Sequence, residues 1–248
     1  MKKTIILTTL ALLAFTACKE QPKEQQEDMV MEAEAATEPQ EEWIVLFDGT
    51  TMDAWRGYGR EDLPETWKIE DGAMVFYPAD KPSGENHNLV TKKMFKNFVL
   101  SLEWKISEGG NSGIFWGVQE DPWYHEPYQT GPEIQVLDDE RHPDAKNGTT
   151  HQAGALYDMV APSKSVVRPA GEWNLCEITV DHENHRGSVR LNGTEMVIFP
   201  LANEAWDAMV ENSKFRGWKG FGESDMGMIG LQDHGDVVAY RNIKIKPL

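Results

Sequence analysis

The chain has 248 residues and a formal net charge of −17, a length that suits one all-β domain or two small ones. The acidic balance excludes a phosphate backbone as natural partner, because like charges repel, and the body of the chain holds no apolar run long enough to cross a bilayer. Nine Trp, nine Phe and six Tyr supply the large side chains of a substantial core.

The first segment reads as an address. "MKKTIILTTLALLAFTAC" has two lysines, an apolar stretch from about Ile5 to Phe15, and small residues before Cys18, the pattern of a bacterial secretory signal. "FTAC" has the form of a lipobox with Phe15 where leucine is usual, so Cys18 is the expected lipidated residue; the alternative is an ordinary signal with an incidental cysteine. Residues 19–42 carry nine acids against two lysines and no aromatic. Such a segment buries too little apolar area to order itself, and it is expected to be a flexible tether. Beyond Cys18 only Cys176 remains, so no intrachain disulfide is expected, and its alternating apolar surroundings predict a small buried hydrophobe.

From Trp43 to the end, residues 43–248, short alternating runs separated by Gly, Pro, Asn and Asp predict a single domain. Strands are expected in "WKIEDGAMVFY", "FVLSLEWKIS", "SGIFWGVQ", "PEIQVLD", "AGALYDMV", "WNLCEITVD", "GSVRLNGTEMVIFP", "GMIGLQDHG" and "VVAYRNIKIKPL". Repeated short strands with turn signals predict a β-sandwich. One helix is expected over about residues 202–214, capped by Asn203, with Trp206, Met209 and Val210 as its buried stripe. The long stretches without strand pattern are 78–90, 119–130 and 138–150, and long loops in a compact domain are commonly functional.

Three of these runs carry polar residues that a strand core does not explain. In "GPEIQVLDDERH", Glu133 and Gln135 share one sheet face, opposite Ile134 and Val136. The face is either solvated or the floor of a site. The spacing Glu133, Gln135, Asp138 invites comparison with the Glu-x-Asp-x-x-Glu strand of laminarinase-type retaining glucanases, but the amide and the final aspartate break the matched glutamate pair. In "GGNSGIFWG", Gly110 and Gly113 allow close backbone approach, and Asn111 is placed to hold a sugar hydroxyl. In "GLQDHG", Gln232 and His234 alternate onto one face, and histidine is the natural acid, base or metal ligand near neutral pH. His142 and His151 add candidates beside the Glu133 strand. Trp116, Trp123, Tyr124, Tyr128 and Tyr157 cluster in the same regions; flat aromatic faces stack on pyranose rings, and core packing is the competing use. The sequence contains no His-Glu-x-x-His, so a metal site must be assembled from several strands. It also contains no Walker loop, dinucleotide fingerprint or Gly-x-Ser-x-Gly elbow, so no nucleotide cofactor is expected.

In order, "LFDGTTMDAW", "GGNSGIFW", "GPEIQVLDD", "AGALYDM", "PAGEWN", "LNG", "SKF" and "GLQDHG…VAYRNIKIKPL" resemble the 3-keto-disaccharide hydrolase family over about residues 43–248. The resemblance implies a concanavalin-like jelly-roll sandwich of two antiparallel sheets. It also implies action on a small carbohydrate substrate, a 3-keto-glucoside or 3-keto-disaccharide, as a 1,2-lyase and 2-hydroxy-glucal hydratase. With the lipobox, it implies an enzyme anchored by lipid in the bacterial envelope at the outer membrane. A ketone at C3 acidifies the C2 proton; the enolate expels the oxygen at C1, and water adds back across the double bond. That route needs a base, a stabiliser for the enolate oxygen and an acid for the leaving group; a divalent cation suits the enolate. Glu133, His234 and His151 are the catalytic candidates. Gln135, Asn111, Trp116, Tyr157 and Gln232 are the binding candidates, and Asp138 with His142 would serve a cation. The roles stay open among these residues, and a non-catalytic carbohydrate-binding sandwich is the competing reading.

Overall fold

The computed structural model describes residues 42–78, 82 and 84–248. The expected signal, Cys18 and almost all of the acidic tether lie outside the described residues. Among the described residues, no helix is long and apolar enough to cross a membrane.

The domain is an all-β jelly-roll sandwich of two antiparallel sheets with one short α-helix among the described residues. The larger sheet holds β1 (Ile44–Phe47), β3 (Trp67–Glu70), β4 (Ala73–Phe76), β6 (Phe98–Ile106), β9 (Asn174–Asp181), β10 (Arg186–Leu191), β11 (Thr194–Pro200) and β13 (Val238–Pro247). Its order is β11-β10-β9-β6-β13-β4-β3, with β1 also pairing to β13. The smaller sheet holds β2 (Trp55–Gly57), β5 (Leu89–Phe95), β7 (Asn111–Val118), β8 (Glu133–Leu137) and β12 (Gly227–Leu231), in the order β2-β5-β12-β7-β8.

Alternation builds the core between the sheets. Leu100, Leu102, Trp104, Ile178 and Tyr240 from the larger sheet meet Ile114, Trp116, Ile134, Val136 and Ile229 from the smaller one. Each large side chain removed from water in this way stabilises the fold by about 1.5–3 kcal/mol. Cys176 belongs to this core, and burial pushes its thiol up to about 12, far from a nucleophile's range.

The helix α1 spans Glu204–Glu211, shorter than the periodicity predicts. Asn203 caps it, its Oδ1 accepting from the N–H groups of Ala205 and Trp206 at 3.0 Å. Asn212 and Ser213 end it by donating to the carbonyls of Ala208 and Val210, so the residues after Ser213 leave the helix as a loop. "AGALYDMV" is not a strand: it forms a turn-rich segment held by isolated bridges of Leu156 with Ile134 and Val160. Its glycine and aspartate give the chain left-handed positions at Gly154 and Asp158, which a strand cannot carry. This segment runs along the free edge of β8: the Gln135 N–H donates to the Ala155 carbonyl, and the Gly154 and Tyr157 N–H groups donate to the carbonyls of Gln135 and Glu133.

Candidate active site

Cross-strand pairing sets which side chains share a face. Gly113 pairs with Gln135, and Phe115 with Glu133; Gly230 pairs with Phe115 on the other side. Asn111, Glu133 and Gln135 therefore stand on the outer face of the smaller sheet. Gln232 and His234 extend that row past the end of β12. All five line one cleft of about 180 Å³, together with Tyr157. The cleft is completed by Tyr128, one of the aromatics expected to stack on a sugar ring, and by Lys214, Phe215 and Trp218, three residues that the sequence reading did not assign to a site role.

Glu133 is the one carboxyl group among the described residues that line the cleft. It is 7 % exposed, and burial raises its carboxyl from an ordinary 4.5 to about 8, with the Lys214 ammonium pulling the other way and Asp144 adding a little. Gly113 makes room for it: a Cβ there would overlap the Glu133 carboxylate. This is the close approach expected of that glycine, made to a side chain.

Three amide oxygens frame the carboxyl. Asn111 Oδ1, Gln135 Oε1 and Gln232 Oε1 are buried and have no hydrogen-bond partner among the described residues. Buried acceptors are normally satisfied, so three orphans in one polar cleft mark a place where a hydroxylated ligand belongs. Two of the matching amide nitrogens are anchored: Gln135 Nε2 donates to the His151 carbonyl at 3.4 Å, and Asn111 Nδ2 lies 3.3 Å from His234 Nε2.

His151 stands one layer behind the cleft. Its Nδ1 is 3.0 Å from Asp144 Oδ1, and its Nε2 is 3.1 Å from Asp158 Oδ1. The other oxygen of Asp144 accepts from the Tyr157 hydroxyl at 2.8 Å, and the other oxygen of Asp158 accepts from the Lys214 backbone N–H at 2.6 Å. Lys214 Nζ lies 4.0 Å from the Tyr157 ring centre. The sequence reading sees His151 as a reacting group; the structure makes it a brace that fixes Tyr157 and Lys214 through two aspartates. Burial opposes ionisation of Asp144, and hydrogen bonds from Asn147, Tyr157 and His151 outweigh it, holding the carboxyl below its usual range.

Trp116 does not reach the cleft. It faces the core between the sheets and stacks on Phe199 with ring centres 5.5 Å apart. The reason is parity: Asn111 and Trp116 are an odd number of residues apart on β7, so they point to opposite faces. Asp138 is also occupied structurally. Its carboxylate accepts from the Gly109 N–H at 2.7 Å, the Glu140 N–H at 3.1 Å and Arg141 at 3.2 Å, tying the bend before β7 to the loop after β8. His142 caps a 3₁₀ turn over Pro143–Asn147, its Nδ1 accepting from the Asp144 N–H at 3.1 Å. It also stands beside His234 and Asp236, with one potential ligand atom from each of the three within 4.8 Å of the others. Asp236 is held there by the Asn111 N–H at 3.0 Å. Partial burial pushes the His234 imidazole below its ordinary value, against the raising effect of Asp236.

Comparison with known proteins adds three findings. The model of a 3-keto-alpha-glucoside-1,2-lyase-like domain matches residues 42–246. A 3-keto-disaccharide hydrolase of Bacteroides thetaiotaomicron is 38 % identical over 231 residues, covering 83 % of this chain and 78 % of the relative. Among solved structures, a candidate glycosyl hydrolase from Parabacteroides distasonis is 33 % identical with a TM-score of 0.77, covering 84 % of this chain and 95 % of the other. A second from the same organism is 25 % identical with a TM-score of 0.61, covering 84 % of this chain and 100 % of the other.

Proposed function

We propose, from the premise that the chain belongs to the 3-keto-alpha-glucoside-1,2-lyase-like family and is a carbohydrate-cleaving enzyme, that it cleaves 3-keto-glycosides by elimination and hydration. A base removes the proton from C2, and the electron pair passes into the C3 ketone as an enolate. The enolate collapses, the C1–O bond breaks, and the leaving oxygen takes a proton. The product is a 2-hydroxy-glucal that still carries the C3 ketone. Water then adds across C1 and C2, which returns a 3-keto-sugar and makes the net change a hydrolysis.

The observation that carries this reading is the buried Glu133 carboxyl at about 8, alone of its kind in the cleft and framed by three partnerless amide oxygens. A carboxylate of raised basicity suits the abstraction of a weakly acidic C–H proton. The Lys214 ammonium is the positive group to stabilise the developing enolate oxygen. Asn111, Gln135 and Gln232 have the acceptors for sugar hydroxyls, and Tyr157 has a flat face for the ring. A retaining glucanase mechanism needs two carboxyl groups about 5–5.5 Å apart across the bond, and the second is missing from the described lining of the cleft.

The reading includes a divalent cation held by His142, His234 and Asp236 in place of the Asp138 and His142 pair. Two imidazoles and a carboxylate form a donor set suited to first-row transition metals, and the chemistry such an ion supplies is polarisation of a substrate oxygen. It also includes a lipid anchor at Cys18 that holds the domain at the outer membrane. The deciding experiment for the reaction is turnover of a 3-keto-glucoside in heavy water. Deuterium at C2 of the product is expected, and product without it would sink the elimination, because cleavage through an oxocarbenium ion leaves the C2 proton in place. Elemental analysis before and after chelation tests the cation: activity retained in metal-free protein removes it. Fractionation of cells carrying Cys18→Ala tests the anchor, which is wrong where the wild type is already soluble.

A further inference from the structure

The outer face of the larger sheet, on the other side of the sandwich from the cleft, carries a groove of its own. Val75 on β4, Ala239 on β13 and Lys105 on β6 stand side by side in register, and Ala73 and Tyr77 share the outward side of the β4 row. An antiparallel sheet commonly turns polar side chains to water on such a face. Here Ala73, Val75 and Ala239 are buried and form a small apolar floor, with Tyr77 and Trp173 packed against it. The result is an open groove of about 490 Å³, with Glu70 on its β3 side and Lys105 on its β6 side.

The two ends of the groove differ in charge. Three cationic side chains converge on Trp173. The Arg241 guanidinium lies 4.1 Å and Lys105 Nζ 4.8 Å from the ring centre, where the ring's electrons attract them, and Arg168 Nη1 donates to the Trp173 carbonyl at 2.9 Å. Glu103 accepts from Arg241 Nε and Nη2 at 3.0 and 2.6 Å and from Asn242 Nδ2 at 2.6 Å, so Arg241 keeps Nη1 for another acceptor. Lys105 is half-buried and, among the described residues, pairs with no carboxylate. The chain has 41 acids to 24 lysines and arginines. An ammonium partly withdrawn from water and still without an acid points to a ligand that supplies one. At the other end, Glu70 Oε2 accepts from the Tyr77 hydroxyl at 2.6 Å, which leaves Oε1 as an acceptor. From β6 to β3 is three strand spacings, about 14 Å.

We infer that this groove is a second, non-catalytic binding site, and that it takes a hexuronate, a sugar ring that carries a carboxylate. The apolar floor receives the C–H face of the ring. Lys105 Nζ and Arg241 Nη1 donate to the carboxylate, and Glu70 Oε1 accepts from a hydroxyl. A neutral sugar leaves the cations unused. A bare anion leaves the floor and the Glu70 acceptor unused. The groove and Glu133 lie on opposite sheets, so both sites can be filled at once, and nothing in this assignment depends on the reaction proposed for the cleft.

The test titrates the protein with methyl β-glucuronide and with methyl β-glucoside, which differ only in a carboxylate against a hydroxymethyl group. The readout is the NMR signal of the Trp173 indole N–H, assigned by its loss in Trp173→Phe. The glucuronide is expected to shift that signal saturably, with a Kd about tenfold below that of the glucoside, as one charge-assisted contact allows. The gap is expected to close in about 1 M NaCl, where the screening length falls to about 3 Å. Lys105→Gln is expected to close it as well, with the thermal midpoint unchanged. No saturable shift at Trp173, or a shift at the Trp218 indole of the cleft in its place, overturns the site. Equal affinity for the two sugars, or a preference that survives Lys105→Gln, overturns the carboxylate assignment. Inorganic phosphate that displaces the glucuronide at matched concentration reduces the groove to a plain anion patch and overturns the sugar.

Discussion

The two faces of β7 and β8 are equally buried and opposite in chemistry. Ile114, Trp116, Ile134 and Val136 look inward, and each is close-packed in the core between the sheets. Asn111, Glu133 and Gln135 look outward under the covering loops, and two of them keep an amide oxygen without a partner. Burial alone therefore does not say what a face is for. An inward face minimises free energy by filling space. An outward face that holds a raised carboxyl and unpaired acceptors costs stability, and such a cost persists where a ligand is to be bound.

The largest way to break the comparison is Trp116→Ala. It removes a large side chain stacked on Phe199 and should cost about 3–5 kcal/mol of stability, read as a fall in denaturation midpoint. Whatever protein remains folded should turn over substrate at close to the normal rate, since the ring lies on the wrong side of the sheet. Next comes Glu133→Gln, with the opposite signature. Loss of the base should lower turnover roughly a hundredfold or more, about 2.7 kcal/mol in activation. The same change should stabilise the fold near pH 8. The carboxyl's folded value, about 8, lies above its ordinary 4.5. Its contribution is therefore fully present below about 4.5 and is lost as pH rises towards 8. An amide carries no such dependence. Wild type and variant should match in stability at low pH and separate with the variant ahead as pH rises; a wild type that stays level across that range denies the burial its cost.

The inward face was legible in the sequence because alternation alone specifies it, and the sandwich follows from many such strands. The outer row was legible too, since Glu133 with Gln135 and Gln232 with His234 are polar pairs at spacing two. What parity could have corrected was Trp116, five residues from Asn111 and so on the other side. The remaining residues had no local signal. Lys214, Phe215 and Trp218 follow a helix end fixed by the Asn212 and Ser213 side chains. Only tertiary packing brings that loop over β8, where Asp158 accepts from the Lys214 N–H. His151 was visible as a chemically able residue, but its two aspartates at positions 144 and 158 sit at spacings that no strand or helix period relates to it.

A smaller effect concerns pH alone. With the base at about 8, roughly a tenth of Glu133 is ionised at pH 7. The ratio kcat/KM for a 3-keto-glucoside should rise about tenfold from pH 6 to pH 7 and then level off above pH 8. A rate that is flat between pH 6 and 8 would assign proton removal to a different group.

The smallest expected effect separates binding from chemistry on the outer face itself. Gln135 is one residue pair along β8 from Glu133, shares its face and shares its burial. An amide cannot titrate at any accessible pH, so its part in the reaction is to orient. Its Nε2 is already given to the His151 carbonyl at 3.4 Å, and its Oε1 has no protein partner. Gln135→Ala deletes that acceptor and one anchor of the 149–151 turn. A single hydrogen bond from a sugar hydroxyl contributes about 1–1.5 kcal/mol, so KM should rise about tenfold. The turnover number should fall less than threefold, because Glu133 and Lys214 remain in place. The stability of the free protein should hold or rise slightly, since a buried acceptor without a partner is removed. That split, affinity lost with rate and fold retained, distinguishes an outer-face amide from the inward residues one position away. A fall in kcat as large as that of Glu133→Gln would instead put Gln135 in the proton path and erase the division of labour between the two neighbours.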